Sequence, residues 1–201
     1  PDLTTTNFHE KNYETKKKIQ QKNYRIHLFN NQILFNKIMW LFSINYFILY
    51  ILKTAINDWV VLFFVEQKNY TLTNAGTCIF SFEIGGLIGI LITGFLLNII
   101  FKKKKELLIF YYSLLLISVY LLSTKSLDSK ITYTTILFLI GFSTFSPQML
   151  IGLLVTELTN KKIACTANGF ISGWAYLGAS FAGYPMGLLI DKSWDIFFAT
   201  L

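Results

Sequence analysis

IMWLFSINYFILYILKTAINDWVVLFFV, residues 38–65, decides the class of this protein. The run is apolar, its main interruptions being Lys53, Asn57 and Asp58. As a helix rising about 1.5 Å per residue it exceeds the roughly 30 Å of hydrocarbon in a bilayer, so it crosses even when tilted.

Further runs of that kind follow. The sequence predicts spans over 38–65, 74–101, 107–122, 131–156 and 163–190, and the beginning of another over 194–201, joined by short connections. Hydrophobic residues make up 53% of the chain and charged ones 14%, well below the ~25% charged of soluble domains. The expectation is an all-α membrane protein with about five transmembrane helices plus the start of a sixth. Residues 1–37 are polar, carry Lys16, Lys17 and Lys18, lack a helical apolar face, and read as a solvated loop. The chain opens on Pro1 and stops inside an apolar run, which predicts a piece of a longer protein.

The net charge of +7 does not point to nucleic acid, because the basic residues cluster between spans. Of the 18, 13 fall in the leading segment, in Lys102–Lys105 and at Lys161 and Lys162, all on one side of the predicted membrane. Positive charge in short loops is retained on the cytoplasmic side, so those segments are expected there. Lys68, Lys125, Lys130 and Lys192 lie opposite, and Lys53 alone is deep in a span.

A charge at mid-membrane costs at least ~2.5–3.5 kcal/mol, so intramembrane ionisable residues face a bundle interior or an aqueous cavity. Tyr46, Tyr50, Lys53 and Asn57 follow at spacings of four, three and four, which puts two phenols, an ammonium and an amide on one helical face. Such a stripe suits a phosphorylated, hydroxyl-rich ligand; equally, Lys53 could pair with a carboxylate while the tyrosines line a helix interface. Asp58 and Glu83 must border water or find a cation, and read as members of structural ion pairs.

Gly85 and Gly89, Gly169 and Gly173, and Gly183 and Gly187 repeat a four-residue interval at which helix backbones approach closely. Pro147 frees a carbonyl that lipid cannot satisfy, so its stretch must face protein or water. The fifth span, with Asn168, Ser172, Trp174, Tyr176, Ser180 and Pro185, is too polar to face lipid. Cys78 and Cys165 suggest no disulfide framework, and no phosphate loop, metal cluster or catalytic triad stands out. The expectation is a protein that is not an enzyme and needs no metal or cofactor.

FEIGGLIG (82–89), GFSTFSPQMLIG (141–152) and GFISGWAYLGASFAGYP (169–185) resemble the organophosphate:phosphate antiporters of the major facilitator superfamily. The likeness runs from about Trp40 to Leu201 and corresponds to the C-terminal half of a twelve-helix fold, with residues 1–37 as its central cytoplasmic loop. It implies that Lys53 stands where bacterial hexose-phosphate and glycerol-phosphate carriers have a phosphate-binding arginine. Lysine keeps the charge but loses the planar two-pronged fork. The resemblance further implies substrate-side roles for Tyr50 and Tyr176 and ion-pairing roles for Asp58 and Glu83 toward the other half; Asn57, from its place on the helical stripe, is a further candidate contact. Phe145 stands where a glycerol-phosphate carrier has tyrosine, and LKTAINDW (52–59) is similar to a eukaryotic glucose-6-phosphate translocase.

What this implies is an antiporter that exchanges a sugar phosphate, glucose-6-phosphate foremost, for inorganic phosphate by alternating access within the lipid bilayer, with the N-terminal half of the same transporter as its partner. A hexose-phosphate membrane sensor, a glycerol-3-phosphate transporter and a channel or purely structural membrane protein are the alternatives. The membrane would be the endoplasmic reticulum in a eukaryote, toward which the reading leans, and the inner (plasma) membrane in a bacterium.

Overall fold

The computed structural model describes residues 17, 20, 21, 23, 24, 26–99, 104–123 and 129–200, the side chains of Asn98 and Asp195 aside. Its elements are all helices: a π-helical turn Asn30–Leu34, then α1 (Lys37–Lys68), α2 (Leu72–Ile99), α3 (Lys104–Ser123), α4 (Lys130–Leu158), α5 (Ala164–Ala182), α6 (Tyr184–Lys192) and α7 (Trp194–Thr200). Four of them, α1 to α4, are long and apolar enough to cross a membrane. Their ends follow local chemistry. Asn36 caps α1 by accepting the Ile38 N–H at 3.0 Å, and Asn69 closes it in the left-handed region at φ 53°, a conformation that asparagine tolerates.

α4 is the central helix. It packs against α2 and α3 and touches α1 and α5, and more than half of its most apolar stretch is buried. Pro147 is among its buried residues, so the stretch faces protein as its missing N–H requires. The second strong pairing is α1 with α5. Glycines make both crossings possible. A Cβ on Gly85 would stand 2.1 Å from the Phe138 carbonyl oxygen, one on Gly141 1.9 Å from that of Phe82, and one on Gly178 2.3 Å from that of Phe47. Backbone meets backbone at these places, which no side chain would permit. Gly89 also belongs to the α2–α4 contact, whereas Gly169 and Gly173 have open space before them among the described residues.

Two expectations need correcting. The continuous fifth span over 163–190 is two helices, because Gly183 leaves the helical region at ψ −112° and Pro185 sits in the first turn of α6, where a missing N–H costs nothing. The indole Nε1 of Trp59 donates to the Ala182 carbonyl at 2.7 Å across that break, and Gly187 leaves room for the Trp59 ring. The leading segment is also not loop up to residue 37: residues 26–29 continue into the π-helical turn, where Ile33 is buried and Leu28 and Phe29 pack on the core. Gln32 anchors it by accepting the Asn160 N–H at 2.9 Å. Lys102, Lys103 and most of residues 1–25 lie outside the described residues, as does Lys125.

At the same lysine-bearing end, Lys104 at the start of α3 holds Glu157 near the end of α4 at 2.6 Å. Asn168 of α5 donates to Thr156 Oγ1 at 2.8 Å nearby. Short connections thus leave α1, α3 and α5 starting at one end, in agreement with the alternation expected of successive spans.

Candidate functional site

The stripe on α1 survives folding in part. Tyr46 is buried, Tyr50 and Lys53 are half-buried, and Asn57 is exposed. The rings of Tyr46 and Tyr50 stack at 5.9 Å, and Tyr50 meets Tyr176 of α5 edge-on at 6.1 Å. The Tyr176 ring is 71% exposed, so it stands at the rim of the group. Asn57, one turn beyond Lys53, reaches Asp58 Oδ1 at 3.4 Å and touches none of the tyrosines through a hydrogen bond. The structure therefore brings together Tyr50, Lys53 and Tyr176 and leaves Asn57 at the margin.

Lys53 has an unusual seat. Its Nζ lies 3.9 Å from the centroid of the Phe145 ring of α4 and 5.4 Å from that of Tyr50. A ring face attracts a cation by about 0.5–2 kcal/mol, which offsets part of the desolvation that a spanning helix imposes. Phe145 is itself placed by a glycine: a Cβ on Gly86 would come 2.6 Å from the ring, and Phe82 braces it edge-on at 5.7 Å. Glu83 lies close enough for its charge to act on Lys53, yet among the described residues no carboxylate comes within 4.0 Å of the ammonium. The ammonium is thus partly desolvated without being neutralised by a direct ion pair, the condition in which an anion gains most from meeting it.

Asp58 and Glu83 are both exposed, and among the described residues neither has a cation within 4.0 Å. The ion pairs expected of them are not formed among the described residues. Three cavities of about 390, 560 and 600 Å³ lie away from Lys53, on faces of α1 toward α3, α6 and α7. Lys53 and Tyr50 are half-buried, and beside them the face of α5 that carries Gly169, Gly173 and Tyr176 is exposed.

Gln148 was not visible as a site residue from the sequence. Its side-chain Nε2 donates to the Tyr50 hydroxyl at 2.7 Å, while its main-chain carbonyl accepts from the Tyr46 hydroxyl at 2.6 Å. Gly152 gives the Tyr46 hydroxyl its room, since a Cβ there would approach it to 3.3 Å. The signal that flags Gln148 is an amide inside a span directly after a proline, a polar group that needs a partner in lipid.

Residues 5–183 match the Major Facilitator Superfamily. Among similar proteins, a probable hexose phosphate transport protein of Chlamydia trachomatis is 42% identical over 172 residues, 84% of this chain and 38% of that protein. The membrane sensor protein UhpC of Escherichia coli is 35% identical over 179 residues, 88% of this chain and 41% of its own. A hexose-6-phosphate:phosphate antiporter of Salmonella typhimurium is 28% identical over 165 residues, 82% and 35% respectively. The chain therefore spans roughly two fifths of the length of these relatives.

Proposed function

The chain belongs to the Major Facilitator Superfamily, and on that premise we propose that it forms the C-terminal half of an antiporter exchanging a sugar phosphate for inorganic phosphate, with glucose-6-phosphate the foremost candidate. The observation that carries this reading is the ammonium of Lys53, raised on the Phe145 ring with no carboxylate within 4.0 Å among the described residues and with Tyr50 beside it. The hexose-phosphate relatives support the substrate class.

In this reading the phosphate group docks on Lys53 and the Tyr50 hydroxyl, and Tyr176 at the rim borders the sugar. Asn57 is a candidate contact for a ligand that extends past Lys53, and Asp58 and Glu83 pair with cations of the other half. That half covers the open face and supplies a second cationic ligand. Inorganic phosphate and its ester compete for one site. The empty site carries an ammonium without a direct ion pair, which disfavours reorientation across the low-dielectric barrier, so that movement follows loading and exchange is favoured over leak. The bacterial relatives favour the plasma (inner) membrane over the endoplasmic reticulum, with the lysine-rich end cytoplasmic.

The test is counterflow of radiolabelled phosphate by the full-length parent in proteoliposomes. Lys53→Ala is expected to abolish exchange and Lys53→Arg to retain part of it; undiminished exchange by Lys53→Ala would remove the residue from the mechanism. A second reading is favoured by one comparison, since the sensor shares 35% identity with this chain and the antiporter 28%. A sensor binds hexose phosphate without counterflow and needs a partner to signal, so saturable glucose-6-phosphate binding with no exchange would select it.

A further inference from the structure

We propose that Gln148 is a positioning residue that sets the direction of the Tyr50 hydroxyl bond, so that this phenol offers its proton to the bound phosphate. The proposal rests on the reading of Lys53 and Tyr50 as the phosphate site. It concerns which way one proton points.

A side-chain amide nitrogen donates and cannot accept, so the 2.7 Å contact from Gln148 Nε2 makes the Tyr50 oxygen the acceptor. A phenol has one proton, and at Tyr50 it is therefore not used toward Gln148. Among the described residues the Tyr50 hydroxyl has no acceptor of its own. Its ring lies next to the Lys53 ammonium, 5.4 Å from the centroid. Phosphate oxygens at neutral pH are predominantly acceptors. An ammonium with no direct ion pair, next to a ring whose phenolic proton is unengaged, is complementary to one phosphate group, and a hydrogen bond to such a charged acceptor is about twice as strong as a neutral one.

Tyr46 shows the contrast on the same helix face. One turn earlier and stacked on Tyr50, it is only 6% exposed, and its hydroxyl proton is given to the main-chain carbonyl of Gln148 at 2.6 Å. A single residue thus sorts two adjacent phenols: through its carbonyl it engages the proton of the buried one, and through its amide it leaves the proton of the outer one free. The Tyr46 hydroxyl, given room by Gly152, bonds the main chain at Gln148, so the amide is presented from a held position.

The experiment uses the full-length parent in proteoliposomes, with KM and maximal rate measured separately for glucose-6-phosphate and inorganic phosphate. Gln148→Leu is expected to raise KM for both about 3- to 10-fold, the weight of one oriented hydrogen bond, with little change in maximal rate. In a Tyr50→Phe background the same substitution should add nothing, because the hydroxyl it orients is gone. Gln148→Glu reverses the polarity by offering Tyr50 a carboxylate acceptor, and should lose more affinity than Gln148→Leu. Tyr46→Phe, which releases the Gln148 carbonyl, should lower thermal stability and raise KM by no more than Gln148→Leu does. If Gln148→Leu costs the same affinity with and without the Tyr50 hydroxyl, or lowers stability while KM stays put, the positioning role is overturned. A wild-type protein that neither exchanges nor binds either phosphate instead overturns the site reading itself, and this proposal with it.

Discussion

The α2–α4 crossing and the α1–α5 pair are both built on glycine, but to different ends. Between α2 and α4, Gly85, Gly89 and Gly141 bring two backbones together along successive turns, and a Cβ at any of them would collide with a main-chain oxygen. Between α1 and α5 the backbones meet at Gly178, while Gly169 and Gly173 of α5 have open space before them and Tyr176 stands exposed. The first interface is closed and internal to this chain. The second joins its helices on one face and keeps the other for the site, so one residue type serves as a permanent seam in one place and as clearance in the other.

The sharpest way to break the seam is Gly141→Ala. With its new Cβ 1.9 Å from the Phe82 carbonyl oxygen, the helices must part, and the loss should reach or exceed the ~1–3 kcal/mol usual for overpacking. Thermal unfolding in detergent, or loss of folded yield, reads it directly. A variant as stable as its parent would show that the crossing is not closed as described. Next in size is Trp59→Phe, which removes the donor to the Ala182 carbonyl at the Gly183 break and should cost about 1–2 kcal/mol by leaving that oxygen unpaired. If unfolding is unaffected, the indole contact does not brace the break.

Gly86→Ala tests how the seam supports the site. It displaces the Phe145 ring on which Lys53 rests, and should weaken phosphate affinity several-fold, on the scale of a lost cation–π contact of about 0.5–2 kcal/mol. Unchanged binding would separate the ring from the site. The smallest effect is expected at the open positions. Gly173→Ala meets nothing within 4 Å and should leave the helices as stable or more so, by up to about 1 kcal/mol from helix propensity. A marked destabilisation there would mean that α5 packs differently.

The spans were legible in the sequence because lipid imposes length and polarity together, and α1 to α4 fall close to where the apolar runs put them. The break at Gly183 escaped that reading, since hydropathy does not register a backbone angle, although Gly183 two residues before Pro185 is a stop-and-start signal. The Tyr50–Lys53 stripe followed from helical spacing alone. What spacing could not supply was the partners across helices: Phe145 under Lys53, and Gln148 holding Tyr50 from 98 residues away. Asp58 and Glu83 show the limit from the other side, since among the described residues neither finds a cation within 4.0 Å.

The central claim is that the Lys53 ammonium receives the phosphate group. It is tested most directly by counterflow of labelled phosphate against unlabelled glucose-6-phosphate, comparing wild type, Lys53→Arg and Lys53→Ala at matched amounts of folded protein. The account predicts exchange in the first, reduced exchange in the second and none in the third; exchange by Lys53→Ala at the wild-type rate would contradict it.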